Sequence, residues 1–203
     1  MTAANTATRR IGVMGGTFDP IHNAHVGAAC EALAQCQLDE VVFVPTGVPW
    51  QKEGRGVSDA EHRYAMTLLA TQSHPRFRVS RVDIERRKPT YTADTLRDLD
   101  EEYGPGTELF FIAGADIAES VLSWKFIGEV FAQATFVLVN RPNAVLSTEH
   151  WPPVAKVVQV EMPALDISST DCRRRAAAQR PLRYLVPESV GQYIASRGLY
   201  DHD

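Results

Sequence analysis

No stretch of this chain approaches the roughly 18 consecutive apolar residues that a membrane-spanning helix needs. The opening Met1–Arg10 also lacks the apolar core of a secretory signal, so residues 1–9 are expected to form a frayed N-terminus on a cytoplasmic protein. Cysteine is scarce. Cys30, Cys36 and Cys172 are odd in number and follow no metal-ligand spacing, which argues against a disulfide framework or a zinc site and for reduced thiols. Neither charge dominates: 21 basic against 25 acidic residues give a net charge of −4, so nucleic acid and membrane surfaces are not expected partners. An anionic ligand would need a local basic pocket. Internal repeats, low-complexity segments and linkers are missing too. The 203 residues are expected to form one domain, 1–203, that buries about 70 per cent of its unfolded surface. Two phosphate-binding signatures are missing as well. There is no Gly-x-x-x-x-Gly-Lys-Ser/Thr, and Gly12, Gly15 and Gly16 do not fit Gly-x-Gly-x-x-Gly.

What is present begins with Gly15-Gly16-Thr17-Phe18-Asp19-Pro20-Ile21-His22-Asn23-Ala24-His25, between the apolar run Ile11–Met14 and a helical pattern. A strand, a glycine pair and a helix start present unpaired N–H groups to an anion, and phosphate is the first expectation. Asn23 is placed to cap the helix, with Val26, Ala29, Cys30 and Leu33 on its inner stripe. His22 and His25 then sit at the positive end of the helix, where imidazole donors strengthen as charge builds on a phosphate oxygen. A glycine turn with two surface histidines is the bland alternative.

Continuous apolar runs at Val41–Val44, Leu109–Ala113 and Phe136–Val139 read as strands buried on both faces, with further strands at 77–84 and 154–160. Ser58-x-x-Glu61 reads as a capping box, with His62 and Arg63 facing solvent beyond it. Thr92 is a plausible cap for the helix carrying Leu96, Leu99 and Tyr103, and Pro187–Tyr200 reads as a last helix with Pro at its first position. Strands alternating with helices predict a three-layer α/β domain around a mostly parallel sheet, with ligands at the carboxyl ends of the strands. Asp116, just past one such end, suits ribose hydroxyls or a helix cap. Hydroxyls at Ser168, Ser169 and Thr170 with Arg173 one turn on form an anion cradle or an ordinary cap.

Gly15–His25 resembles the Gly-Gly-Thr-Phe-Asp-Pro-x-His-x-Gly-His motif of bacterial nicotinate-mononucleotide adenylyltransferases, with Ala24 replacing a glycine. Thr90-Tyr91-Thr92 resembles that family's Ser-Tyr-Thr, and Gly114-Ala115-Asp116 followed by Trp124 resembles its Gly-Ala-Asp and tryptophan. Ile167-Ser168-Ser169-Thr170-Asp171-Cys172-Arg173 resembles its Ile-Ser-Ser-Thr-x-x-Arg. Pro49-Trp50-Gln51-Lys52 departs from the usual Pro-His-Lys. The resemblance implies a Rossmann-like nucleotidyltransferase fold and transfer of AMP from ATP to nicotinate mononucleotide, giving nicotinate adenine dinucleotide and pyrophosphate. It implies His22, His25, Lys52 and Arg173 as catalytic residues. ATP would meet Gly15, Gly16, Thr17, Phe18, both histidines, Ile167, Ser169, Thr170 and Arg173. The mononucleotide would meet Thr90, Tyr91, Thr92, Asp116, Trp124 and Arg141. Mg²⁺ would arrive with ATP rather than in a protein cage, and a homo-oligomer is left open. Adenylyl transfer to phosphopantetheine or nicotinamide mononucleotide, and a non-catalytic nucleotide-binding regulator, are the alternatives.

Overall fold

Six parallel strands form the sheet: β1 (Arg9–Gly16), β2 (Glu40–Pro45), β3 (Phe77–Val79), β4 (Thr107–Gly114), β5 (Ala134–Asn140) and β6 (Val157–Glu161), with the long apolar runs in β1, β2, β4 and β5. Their order in the sheet is β3-β2-β1-β4-β5-β6. The computed structural model describes residues 8–47, 56–86, 88–140 and 148–201. Most of the N-terminal segment expected to fray therefore lies outside the described residues, while Arg9 already belongs to β1.

Alternation along each strand sorts side chains between two cores. Ile11, Val13, Leu109, Phe111, Phe136 and Leu138 pack under α4 (Thr92–Tyr103) and α5 (Ile127–Gln133). Met14, Phe43, Phe110, Ile112 and Val137 pack on the other face, under α1 (Asn23–Gln35), α2 (Ala60–Thr71) and α7 (Glu188–Arg197). A sheet buried on both faces needs unbroken apolar strands, which is why Val41–Val44 shows no alternation in the sequence. Helices on both faces of one parallel sheet complete the three-layer Rossmann-like fold.

The chain runs outward from β1 to β3, then returns to pair β4 beside β1. That reversal opens a crevice at the carboxyl ends of β1 and β4, the usual ligand position of such sheets. Helices leaving the strands start at this edge, so their positive ends collect there.

Several local expectations are corrected, and the reason is mostly tertiary competition for a polar group. Asn23 does not cap α1, because its amide donates to the Tyr184 carbonyl (2.7 Å), and His22 takes the cap position instead. Ser58 does not cap α2. Asp59 does so by accepting from the Glu61 N–H, while the Ser58 N–H goes to the Asp19 carboxylate. Tyr91, not Thr92, precedes α4, and Pro187 lies one place before α7, which ends at left-handed Gly198. The strand expected over 77–84 stops at Val79 and is followed by a one-turn helix, α3 (Val82–Glu85). The sixth strand begins at Val157, three residues later than expected.

Candidate active site

A cleft of about 980 Å³ opens at the carboxyl edge of the sheet, bounded by the turn after β1 and the first turns of α1, α4 and α6 (Ser169–Ala177). One end carries Gly15, Gly16, Thr17, His22, His25, Ile167, Ser169, Thr170 and Arg173. The other carries Thr90, Tyr91, Thr92, Asp116 and Trp124. The two groups of motif residues, far apart in the chain, therefore face one cavity.

At the first end the two imidazoles are stacked, with centroids 3.7 Å apart and planes inclined by 25°. The His22 backbone N–H donates to His25 Nδ1 (3.2 Å). A backbone amide can only donate, so Nδ1 is unprotonated and the neutral His25 ring keeps its proton on Nε2, a donor. Phe18 does not line the cleft. It is buried, and its ring meets His25 edge to face at 5.1 Å, fixing the imidazole from behind. Burial lowers the His22 pKa to about 4. His22 is therefore neutral at physiological pH, and its buried Nδ1 has no hydrogen-bond partner among the described residues.

The N-terminus of α6 is strapped to the β1 turn. Ser168 caps it, accepting from the Asp171 N–H (3.0 Å), and Ser169 Oγ donates to the Pro20 carbonyl (2.9 Å). Arg173 donates to the Asp19 carbonyl (2.7 Å) and to Thr170 Oγ1 (3.4 Å). The hydroxyl-arginine cradle thus has two duties: its side chains hold the glycine turn, and its first turn offers a positive helix end to the same cavity.

At the second end Thr90 is buried, and its Oγ1 has no partner among the described residues. Lys125 Nζ lies 3.2 Å from the Tyr91 hydroxyl. Trp124 is half-buried and meets the edge of the Phe111 ring system at 6.0 Å, leaving the indole on the cleft wall. Asp116 is exposed in a short 3₁₀ turn after β4. It is thus available to a ligand rather than used as a cap.

Two polar residues of this region were not among the expected site residues. Asp83 lines the cleft at 4% exposure, accepts from Thr95 Oγ1 (2.8 Å) and has its pKa raised by burial to about 7. Arg63, expected to face solvent, is 1% exposed and donates to three carbonyls. The apolar positions Phe77, Val79, Val82 and Ile84 change phase within the segment read as strand, which was the one signal for Asp83, and none existed for Arg63. Lys52 and Arg141, together with Trp50, lie outside the described residues. No cluster of three metal-ligating side chains occurs among the described residues. No helix among them is long and apolar enough to cross a membrane.

The titrations oppose each other. Unfolded His22 binds a proton between pH 6.5 and about 4 that the folded form refuses, so its share of stability falls as pH drops through that window. Folded Asp83 binds a proton between pH 3.8 and about 7 that the unfolded form releases, so its share falls as pH rises. In an NMR titration the His22 ring is expected to remain neutral to about pH 5. A midpoint near 6.5 would show that its burial is not felt.

The fold and cleft define a nucleotidyltransferase, and residues 13–175 match the family described as cytidylyltransferase-like. The chain is 59% identical over 192 residues to a "probable nicotinate-nucleotide adenylyltransferase" of Saccharopolyspora erythraea, covering 95% of this chain and 90% of that protein. It is 57% identical over 194 residues to the protein of the same name from Mycolicibacterium smegmatis, covering 92% and 90%. The chain belongs to this family, the nicotinate-nucleotide adenylyltransferases. A solved structure of similar fold is the Plasmodium falciparum nicotinic acid mononucleotide adenylyltransferase complexed with APC, with a TM-score of 0.76 at 20% identity, over 96% of this chain and 98% of that one. The same enzyme complexed with NaAD gives a TM-score of 0.75 at 21% identity.

Proposed function

We propose that the cleft aligns ATP, held by the β1 turn and the α6 cradle, with nicotinate mononucleotide, held between Trp124 and the start of α4. The reaction is nicotinate-nucleotide adenylyl transfer. A phosphate oxygen of the mononucleotide attacks the α-phosphorus of ATP, the bond to the β-phosphate oxygen breaks, and pyrophosphate leaves. No protein nucleophile is required, because the attacking phosphate is already an anion. Catalysis is then alignment of two substrates and neutralisation of charge that grows on the transferring phosphate. His25 and His22 donate to that phosphate, and Arg173 and Lys52 neutralise the polyphosphate. Mg²⁺, where bound, would be held by the ATP oxygens rather than by protein side chains and would supply further positive charge against the polyphosphate.

The observation that carries this reading is the single cavity shared by the two groups of motif residues. The stacked imidazoles and three helix starts at one end of a sheet suit phosphates, and the indole beside Thr90, Tyr91 and Thr92 suits a flat ring. A carboxylate on that ring meets the positive end of α4, an attraction worth about 0.3 to 2 kcal/mol, or at most roughly thirtyfold. The nicotinate form should therefore react faster than the nicotinamide form when the two are compared side by side. Equal rates would sink the assignment of this end to the pyridine.

Trp124→Ala is expected to weaken mononucleotide binding by about 1 kcal/mol or more through lost ring contact, with ATP affinity nearly unchanged. Calorimetric titration of each substrate separately checks this. A selective loss of ATP binding would reverse the assignment of the two ends.

A further inference from the structure

Arg63 is a buried charged side chain whose hydrogen bonds all go to backbone carbonyls, with the Asp19 and Asp59 carboxylates as nearby countercharges. From the first turns of α2 its Nε donates to the Ser58 carbonyl, one terminal nitrogen to the Thr17 carbonyl and the other to the Gly47 carbonyl, each at 2.9 Å. Thr17 belongs to the β1 turn at the phosphate end of the cleft, and Gly47 directly follows Thr46, which lines the cleft beyond β2.

Gly47 is fixed on its other side as well. A Cβ built on it would lie 2.1 Å from the Asp83 carbonyl oxygen, so the two backbones are already in contact. Asp83 in turn accepts from Thr95 in the first turn of α4, the helix at the mononucleotide end. A continuous path of direct contacts thus runs from Thr17 through Arg63, Gly47 and Asp83 to α4.

Taking the two-substrate reading above as its basis, we propose that Arg63 is a positioning residue that sets the distance between the ATP end and the mononucleotide end of the cleft. Its planar fork suits this role, because three donors at fixed angles hold three carbonyls at fixed separations, which a flexible lysine ammonium cannot do. Each substrate contacts only its own end, so ground-state binding of either one is insensitive to the separation. In-line attack is sensitive to it, because misplacement by about 1 Å costs on the order of 10² in rate.

Arg63→Lys is therefore expected to lower kcat by about tenfold to a hundredfold, with the KM values for ATP and nicotinate mononucleotide changed by less than about threefold. A merely structural role would lower Tm and leave kcat per folded molecule unchanged well below Tm. The comparison variant is Val190→Ala, buried in α7 and outside the cleft, which should lose stability while keeping kcat. If Arg63→Lys does not fold, Gly47→Ala serves, because its methyl must push the Gly47 backbone off Asp83 without removing a charge. The same selective loss of kcat is expected. Unchanged kcat in the folded variant, or a rise in one KM alone, overturns the positioning role. A parent protein that makes no dinucleotide overturns the two-substrate reading instead, so the two failures are distinguishable.

Discussion

Replacing His25 with alanine is expected to lower turnover by about 10² or more while the protein stays folded. The ring is half-buried at the first turn of α1 and lines the cleft, and its Nδ1 accepts from the His22 amide, which places the ring proton on Nε2. Stacking on His22 and the edge contact with Phe18 hold that donor in place before substrate arrives. A donor already in place costs no reorganisation when charge builds on the phosphate, so its loss appears mainly in kcat. His22→Ala should behave similarly, with a larger loss of ATP affinity if His22 also contacts ground-state phosphate. A His25→Ala protein that turns over at the parent rate would remove that residue from the mechanism.

Arg173→Gln is the second large effect. Hydrogen bonds to charged groups contribute about 1.5–3 kcal/mol, which corresponds to roughly tenfold to 150-fold in kcat/KM for ATP. The same substitution weakens the bond to the Asp19 carbonyl and should lower Tm modestly. The two consequences separate in Arg173→Lys, which keeps the charge and loses the fork. Arg173→Lys should recover part of the ATP response and little of the Tm. A glutamine variant with a lower Tm and an unchanged ATP response would assign Arg173 to the strap alone.

The four central strands, β1, β2, β4 and β5, were legible because each is buried on both faces and written as an apolar run, from Ile11–Met14 to Phe136–Val139, whereas the partly exposed edge strands β3 and β6 were read with the wrong bounds. The turn at Gly15–Gly16 and the hydroxyls at 168–170 were legible because anion sites at helix starts need particular residues close together in sequence. Caps were read one residue off where the expected cap, Asn23 or Ser58, bonds instead to a distant partner. Arg63 was misread for the same reason on a larger scale. Two of its acceptors, Thr17 and Gly47, lie 46 and 16 residues away, and no local pattern tells a buried arginine from a solvated one. Asp83 hid inside a segment read as strand, because its burial depends on Thr95 twelve residues on and on the Gly47 backbone. Phe18 looked like a ligand contact from its place in the motif, whereas its ring packs beneath His25.

The central claim is direct transfer of AMP between two substrates held in one cleft. The measurement that tests it most directly is product analysis with the purified protein, ATP, Mg²⁺ and nicotinate mononucleotide, quantifying dinucleotide and pyrophosphate together. Equal amounts of nicotinate adenine dinucleotide and pyrophosphate are predicted, formed only when both substrates are present. Pyrophosphate without dinucleotide, or turnover with phosphopantetheine in place of the mononucleotide, would contradict the account.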